Sequence, residues 1–281
     1  MHRSTVETIL EYEVRSPAHF CFNLEAAHWP TQNILSERLA VSSGVAVHSY
    51  TDPGSGNRFF RFDASPGPLT VGYKAEVEVF SEHVDQHLPE TPLGQIPDNV
   101  FHYLMPTRYC ESDVLSRVAQ QMFGKDEPGI SRVRRVVDWI HDSIAYLPGS
   151  TTSLTTAQEV FVQRAGVCRD FAHLGITLCL ALNIPARLVV GYVWFDEPPQ
   201  DFHAIFEAWI GGRWVLFDAT GMAPVDRLVR IGTGRDAKDV AFSTFYGAVN
   251  MTRKEILVEE HDPRERTPSG QASVQVAAVS A

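Results

Sequence analysis

The sequence predicts an α+β protein: a β-rich N-terminal part, then a core of helices packed on an antiparallel sheet. Three observations carry that prediction. Short, partly alternating apolar stretches separated by turn clusters fill the first eighty residues. Helical spacing of apolar residues begins only near Ser112. Beyond Ala186 the pattern returns to strands, two of them joined by Gly211-Gly212, a two-residue hairpin signal.

In the first part, Thr8 to Val14, Phe20 to Leu24, Glu37 to Val41, Val45 to Tyr50, Arg58 to Phe62 and Leu69 to Phe80 read as strands. In the last, Val71, Tyr73, Ala75, Val77 and Val79 alternate with polar or small residues. Asp52-Pro53-Gly54-Ser55-Gly56-Asn57 is a turn cluster between two of them. The expected organisation is a sandwich-like domain over 1–88, a proline-bearing connection over 89–110 and a helix-and-sheet core over 111–260. A polar tail over 261–281 has mostly the composition of a disordered segment, with Ser273-Val274-Gln275-Val276 as a candidate edge strand.

Helices follow the connection. Ser112 or Asp113 caps one that runs to about Phe123 and carries Val114, Val118 and Met122 inward. Ile130, Val133, Val137, Ile140 and Ile144 mark a second, with Arg132, Arg134 and Arg135 on its solvated side. A third is signalled by Thr155 with Gln158, or Thr156 with Glu159, as a capping box. Gly166 stands where its C-terminus wants positive φ. A fourth helix then begins near Cys168 and buries Phe171, Ala172, Gly175, Leu178, Cys179 and Leu182, until Asn183 and Pro185 stop it. Cys168 is therefore expected in a first helical turn, where unpaired amides and the macrodipole favour a thiolate.

The hairpin supplies partners for that thiol. A turn at Gly211-Gly212 sets Ile210 opposite Arg213 and Ile205 opposite Asp218. Residues two apart share a face, so His203 and Asp218 become diagonal neighbours about 7 Å apart at the backbone. The opposite face, Phe202, Ala204, Phe206, Ala208 and Ile210 with Val215, Phe217 and Ala219, is the core face. An imidazole takes the thiol's proton and returns it to a leaving group, and a carboxylate fixes its tautomer. Cys168, His203 and Asp218 are thus the expected catalytic residues, with the Cys168 amide as one oxyanion donor. His173 is a weak rival base on another helical face; Cys21, Cys110 and Cys179 read as packing residues.

The totals exclude other classes. Lys plus Arg number 24 and Asp plus Glu 34, a net charge of −10, which disfavours nucleic acid and anionic membranes. No stretch has the roughly 18 apolar residues of a membrane helix, and the first residues lack a signal-peptide core. Four cysteines without C-x-x-C or zinc spacing suggest free thiols in a cytoplasm. His83 and His87 are four apart, but Pro89 and Pro92 follow and no further ligand is evident, so a solvated linker is the better reading. No cofactor and no metal are expected, and no acidic loop of the EF-hand type implies calcium.

Gly166-Val167-Cys168, Asp170-Phe171-Ala172-His173-Leu174, Asn183-Ile184-Pro185-Ala186-Arg187 and Gly191-Tyr192 resemble the core of the bacterial transglutaminase-like superfamily. Phe202-His203-Ala204, Glu207-Ala208-Trp209, Gly212, Trp214 and Phe217-Asp218-Ala219-Thr220 continue the resemblance, which covers about residues 150 to 222. The first hundred residues resemble the N-terminal domain that often precedes this core, and 235–241 resemble its C-terminal portion. Ala219 stands where many relatives have proline, and Ile205 where many have tryptophan. The resemblance implies a papain-like fold, Cys168 as nucleophile, His203 as general base and acid, and Asp218 as orienting acid. The leading expectation is a cysteine hydrolase, a peptidase or amidase acting on a protein or peptide through a thioester. The alternatives are a transglutaminase passing the acyl group to an amine and a non-catalytic binding module.

Overall fold

The computed structural model describes residues 1–42, 44–81, 84–261 and 276–277. Six strands open the chain: β1 (His2–Val14), β2 (Ala18–Phe22), β3 (Gln32–Val41), β4 (His48–Thr51), β5 (Arg58–Ala64) and β6 (Gly67–Val79). Alternation shapes the two long ones. Val6, Thr8, Leu10, Tyr12 and Val14 of β1, with Val71, Tyr73, Ala75, Val77 and Val79 of β6, are buried, while the residues between them are more open. The pair runs antiparallel from His2 opposite Val79 to Val14 opposite Gly67.

The rest comprises α1 (Asp98–Phe101), α2 (Ser112–Phe123), α3 (Ile130–Ser143), β7 (Ala145–Tyr146), α4 (Ala157–Gln163), β8 (Ala165–Gly166) and α5 (Cys168–Ala181). It continues through β9 (Ala186–Tyr192), β10 (His203–Ile210), β11 (Arg213–Phe217), β12 (Val229–Gly234), β13 (Ser243–Tyr246), β14 (Val249–Glu260) and β15 (Val276–Ala277). The larger sheets have the orders β14-β1-β6-β3, β13-β2-β5-β4 and β12-β9-β10-β11-β15. Leu10, Tyr12, Leu69 and Val71 of the first sheet meet Phe20, Phe22, Phe60 and Phe62 of the second. Phe22 stacks on Phe60 at 5.1 Å and Phe20 on Phe62 at 5.4 Å, and such pairs add about 0.5–1.5 kcal/mol to burial.

Residues 243–260, expected within the catalytic core, pair instead with the N-terminal strands through β13 and β14. Ile256 and Val258 drive this, because both enter the cluster formed by Val6, Ala75 and Val77. Val276 and Ala277 pair with Val215 and Trp214; Ser273, Val274 and Gln275 of the candidate edge strand lie outside the described residues.

Helix α2 buries Leu115, Ala119 and Phe123, and Val114 is exposed. The expected stripe, Val114-Val118-Met122, lies one residue away on the same helix; Phe123 is the largest apolar group and sets which stripe turns inward. Helix α3 buries Ile130, Val133, Val137 and Ile140 as its spacing predicts. Thr156, rather than Thr155, caps α4, with Glu159 accepting the Thr156 N–H at 2.7 Å.

Helix α5 is the centre of the core, buried at every residue from Asp170 to Ala181. Helices α2, α3 and α4 and strands β9 and β10 contact it. Gly175 permits the close approach to β10: a Cβ there would lie 2.5 Å from the Phe206 ring. The hairpin has the expected register, with Ile210 opposite Arg213 and Phe206 opposite Phe217. Gly211 and Gly212 both take positive φ, 60° and 76°, as a type I′ turn requires.

Ala204, Phe206, Ala208, Ile210, Val215, Phe217 and Ala219 form the core face against α5. Phe202 does not join them. It precedes β10, escapes the strand's alternation, and stacks on Phe242 at 4.9 Å beside the N-terminal strands. The other face of the hairpin is covered as well, by Val193, Phe195, Val225 and Leu228 over Ile205 and Leu216.

Candidate active site

Cys168 is the first residue of α5 and is half-buried, with Val167 extended before it. Asp170, 1% exposed, organises this helix start. Its Oδ2 accepts the Val167 N–H at 2.9 Å and the Thr151 hydroxyl at 2.6 Å. Its Oδ1 accepts the Arg169 guanidinium at 2.6 and 3.0 Å, and Arg169 also donates to the Thr152 carbonyl at 2.8 Å. The loop at 151–152 is thereby fastened to the turn that carries the thiol. Gly166 serves this turn differently from the expectation. Arg164 takes the left-handed conformation at the end of α4 (φ 61°), and Gly166 lies in β8, where a Cβ would stand 2.8 Å from the Asp170 Cβ. The helix ends two residues early, so the glycine is needed for space, not for φ.

His203 opens β10 and is 1% exposed. Its Nε2 lies 2.9 Å from Asp218 Oδ2. Asp218 is itself held in place: Oδ1 accepts the Thr220 N–H at 2.9 Å and hydroxyl at 2.7 Å, and Oδ2 accepts the Ala223 N–H at 3.3 Å. Cys168 acts electrostatically on the same imidazole, and its Sγ is 4.0 Å from the carbonyl oxygen of Phe202, the residue before His203. Helix start, strand start and strand end thus bring Cys168, His203 and Asp218 together.

The electrostatics favour a charged imidazole. Burial alone lowers the pKa of His203, but the Asp218 charge and hydrogen bond, followed by Cys168, outweigh it and push the pKa up to about 10. Burial raises the Asp218 carboxyl, and His203 together with the Thr220 bonds more than reverses this, holding it below its ordinary value. With Nε2 committed to Asp218, Nδ1 is the nitrogen left for the thiol. Such a pair is able to take a thiol proton and hand it on.

His173 is a different kind of histidine. It is buried, its Nε2 accepts the Ala237 N–H at 3.0 Å, and its ring stacks on Tyr109 at 5.3 Å. Burial and then the Arg169 charge lower its pKa to about 3. It anchors the 235–241 segment to α5 as a neutral ring. Burial raises the thiols of Cys110 and Cys179 above their ordinary range, chiefly by desolvation. Cys21 lies on β2, in the N-terminal sheet β13-β2-β5-β4. Among the described residues no group of three His, Cys, Asp or Glu side chains is placed to hold a metal, and His83 lies outside them. None of the helices there is long and apolar enough to cross a membrane.

Two features escape sequence reasoning. Tyr146 of β7 pairs with Gly166 of β8, two residues before Cys168, and its ring leans on Phe171 at 5.9 Å; burial and then the Cys168 charge raise its phenol's pKa. Its only sequence signal is its place before Leu147-Pro148-Gly149, which says nothing of a cysteine 22 residues later. The second is Glu207, fully buried on β10, bound by Arg187 at 2.6 Å and Arg230 at 2.8 Å. Arg187 lies over the rings of Trp214, Tyr103 and Trp29, and Arg230 over Trp29. Arg187 and Glu207 are two residues of the family-like motifs; nothing in their spacing shows that they pair.

Comparison with known proteins shows the family. Residues 116–219 match the model of the transglutaminase-like superfamily, and residues 2–97 that of the bacterial transglutaminase N-terminal domain. A solved structure from Cytophaga hutchinsonii, described as a "putative cysteine protease", is 37% identical, with a TM-score of 0.92 over 98% of this chain and 97% of that one. An uncharacterised protein of Mycobacterium leprae is 27% identical over 278 residues, 92% of this chain and 98% of its own. One of Mycobacterium tuberculosis is 34% identical over 143 residues, 46% of each chain. A thiol at a helix start, a hairpin that carries its histidine, and a full-length structural match at this identity place the chain in the transglutaminase-like superfamily.

Proposed function

We propose that this protein is a cysteine hydrolase that cleaves an amide, peptide or isopeptide, in a protein or peptide substrate. The observation that supports this best is the 2.9 Å His203–Asp218 bond set beside a thiol at the first residue of α5. His203 takes the Cys168 proton, and the thiolate attacks the carbonyl carbon. The tetrahedral intermediate collapses as the imidazolium protonates the leaving amine, giving a thioester. Water, deprotonated by His203, then releases the acid and restores the thiol. Asp218 keeps the imidazole in the required tautomer and stabilises its charged form. The four free cysteines fit a reducing compartment, and we place the protein in the cytoplasm.

The test is the iodoacetamide labelling rate of Cys168 against pH, in the native protein, His203→Ala and Asp218→Ala. An ordinary thiol with a pKa of about 8.5 is almost wholly protonated at pH 6. The native rate at pH 6 is expected to exceed that of His203→Ala on the order of 100-fold, allowing for the lower intrinsic nucleophilicity of an acidic thiol. Equal rates in all three proteins would remove the triad and leave a binding module as the better reading.

A further inference from the structure

His203 is the first residue of β10, so the backbone on one side of it belongs to a loop, 193–202, that returns from β9. A side chain beside a loop is placed only as well as a rigid scaffold holds the loop's end. Here that end is tied to strands of the N-terminal sheets. Asp201 Oδ1 accepts the Phe202 N–H at 2.8 Å, and Asp201 Oδ2 pairs with Lys254 Nζ of β14. Gln200 Oε1 accepts the N–H of Val258, on the same strand, at 2.9 Å. The Lys254 ammonium also lies 6.0 Å over the Phe242 ring, which stacks on Phe202 at 4.9 Å. Phe242 is itself fixed, because its carbonyl accepts the Asn23 N–H at 3.1 Å. Phe202 meets a second ring, Tyr192, at 5.5 Å, and the Tyr192 hydroxyl donates to the Leu24 carbonyl at 2.8 Å.

We propose that Lys254 is a positioning residue of the reaction: its ion pair with Asp201 fixes Asp201 and Phe202, and so sets His203 against Cys168. The inference rests on the hydrolase reading. The Phe202 carbonyl oxygen, 4.0 Å from Cys168 Sγ, marks how near the clamped residues come to the reacting sulfur. Lys254 acts through Asp201 and Phe202, not on the reacting atoms. It lies opposite Leu10 of β1, so the sheet that opens the chain holds the base of the second part in place. The pair is partly exposed, 32% and 41% at its side chains. Such a pair adds little to stability, whereas misplacing a reacting group by about 1 Å costs on the order of 100-fold in rate. Rate and stability therefore separate a positioning role from a scaffold role.

Lys254→Met keeps the stem beside Phe242 and removes the charge. Asp201→Asn keeps an oxygen for the Phe202 N–H and removes the ion pair. Iodoacetamide alkylation of Cys168 at pH 6 reads whether imidazole and thiol are still aligned. Each single variant and the double variant should alkylate more slowly by the same factor, at least about tenfold, because the pair acts as a unit. Lys254→Arg should restore most of the native rate, and all melting temperatures should stay within about 3 °C of the native protein. A native rate in either single variant overturns the proposal and leaves the hydrolase reading intact. Effects of opposite sign also overturn it, since the two charges would then act on the thiolate through space. Losses that add in the double variant, or that come with melting temperatures well below that range, overturn it too: the residues would then act separately or as scaffold. A native protein that alkylates no faster than His203→Ala removes the hydrolase reading, and the proposal with it.

Discussion

Strand β10 carries two buried charge sites four residues apart, and they are finished differently. At Glu207 one carboxylate meets two guanidiniums, and three aromatic rings close over Arg187. Every strong charge there has a fixed partner. At His203 one carboxylate meets one imidazole, and the half-buried thiol of Cys168 acts electrostatically on the same ring. A saturated network has nothing left to exchange and serves to lock β9, β10 and β12 to one another. The unsaturated one has a proton to move. Burial and charge are common to both; the open valence separates scaffold from chemistry.

The largest expected effect comes from the closed site. Glu207→Gln leaves two buried arginines without a counter-charge, which costs about 3–5 kcal/mol. Thermal unfolding should show that loss, and the pH dependence of Cys168 alkylation in the fraction still folded should be native. A shifted alkylation profile would show that the two sites are coupled and would break the comparison.

The open site should respond in the opposite way. Asp218→Asn removes the charge that raises the His203 pKa while keeping an oxygen for Thr220. Alkylation at pH 6 should fall by at least about tenfold, with a stability change no larger than about 2 kcal/mol. Loss of fold without loss of reactivity would assign Asp218 to the scaffold.

His173, five residues along α5 from Cys168, sharpens the contrast as a buried titratable group with no counter-charge. Its folded pKa is about 3, below the ordinary value of about 6.5. Between those values the unfolded chain binds a proton that the native state refuses, so stability rises with pH across the window and falls on acidification. The slope from this group is at most about 1.4 kcal/mol per pH unit. Replacing it by glutamine should flatten the acid limb of denaturant unfolding between pH 6.5 and 4; an unchanged limb would show that other groups set it.

Much of this was legible in the chain because its signals are local. The period-2 alternation of β1 and β6, the spacing in α3, and the Gly211-Gly212 turn each depend on neighbours within a few residues. The turn alone placed His203 and Asp218 on one face, since hairpin register follows arithmetically from turn length. The first-turn position of Cys168 followed from the apolar spacing of the helix behind it. Some local signals were ambiguous. Leu115-Ala119-Phe123 and Val114-Val118-Met122 are adjacent stripes of α2, and only packing against α5 chose between them.

The remainder belonged to the tertiary structure, because it joins residues that no period connects. Ile256 and Val258 return to the strands that begin the chain. Arg230 reaches Glu207 across β9 through sheet order, which spacing along the sequence does not encode. Gly166 reads as a turn residue until Asp170 is packed against it. Tyr146 lies beside Gly166, at the turn before Cys168, because two short strands pair in parallel, and a two-residue pairing has too little pattern to be read beforehand. Local chemistry put forward a candidate nucleophile and base; long-range packing supplied what surrounds them, since contacts between distant segments form only when the whole chain has closed.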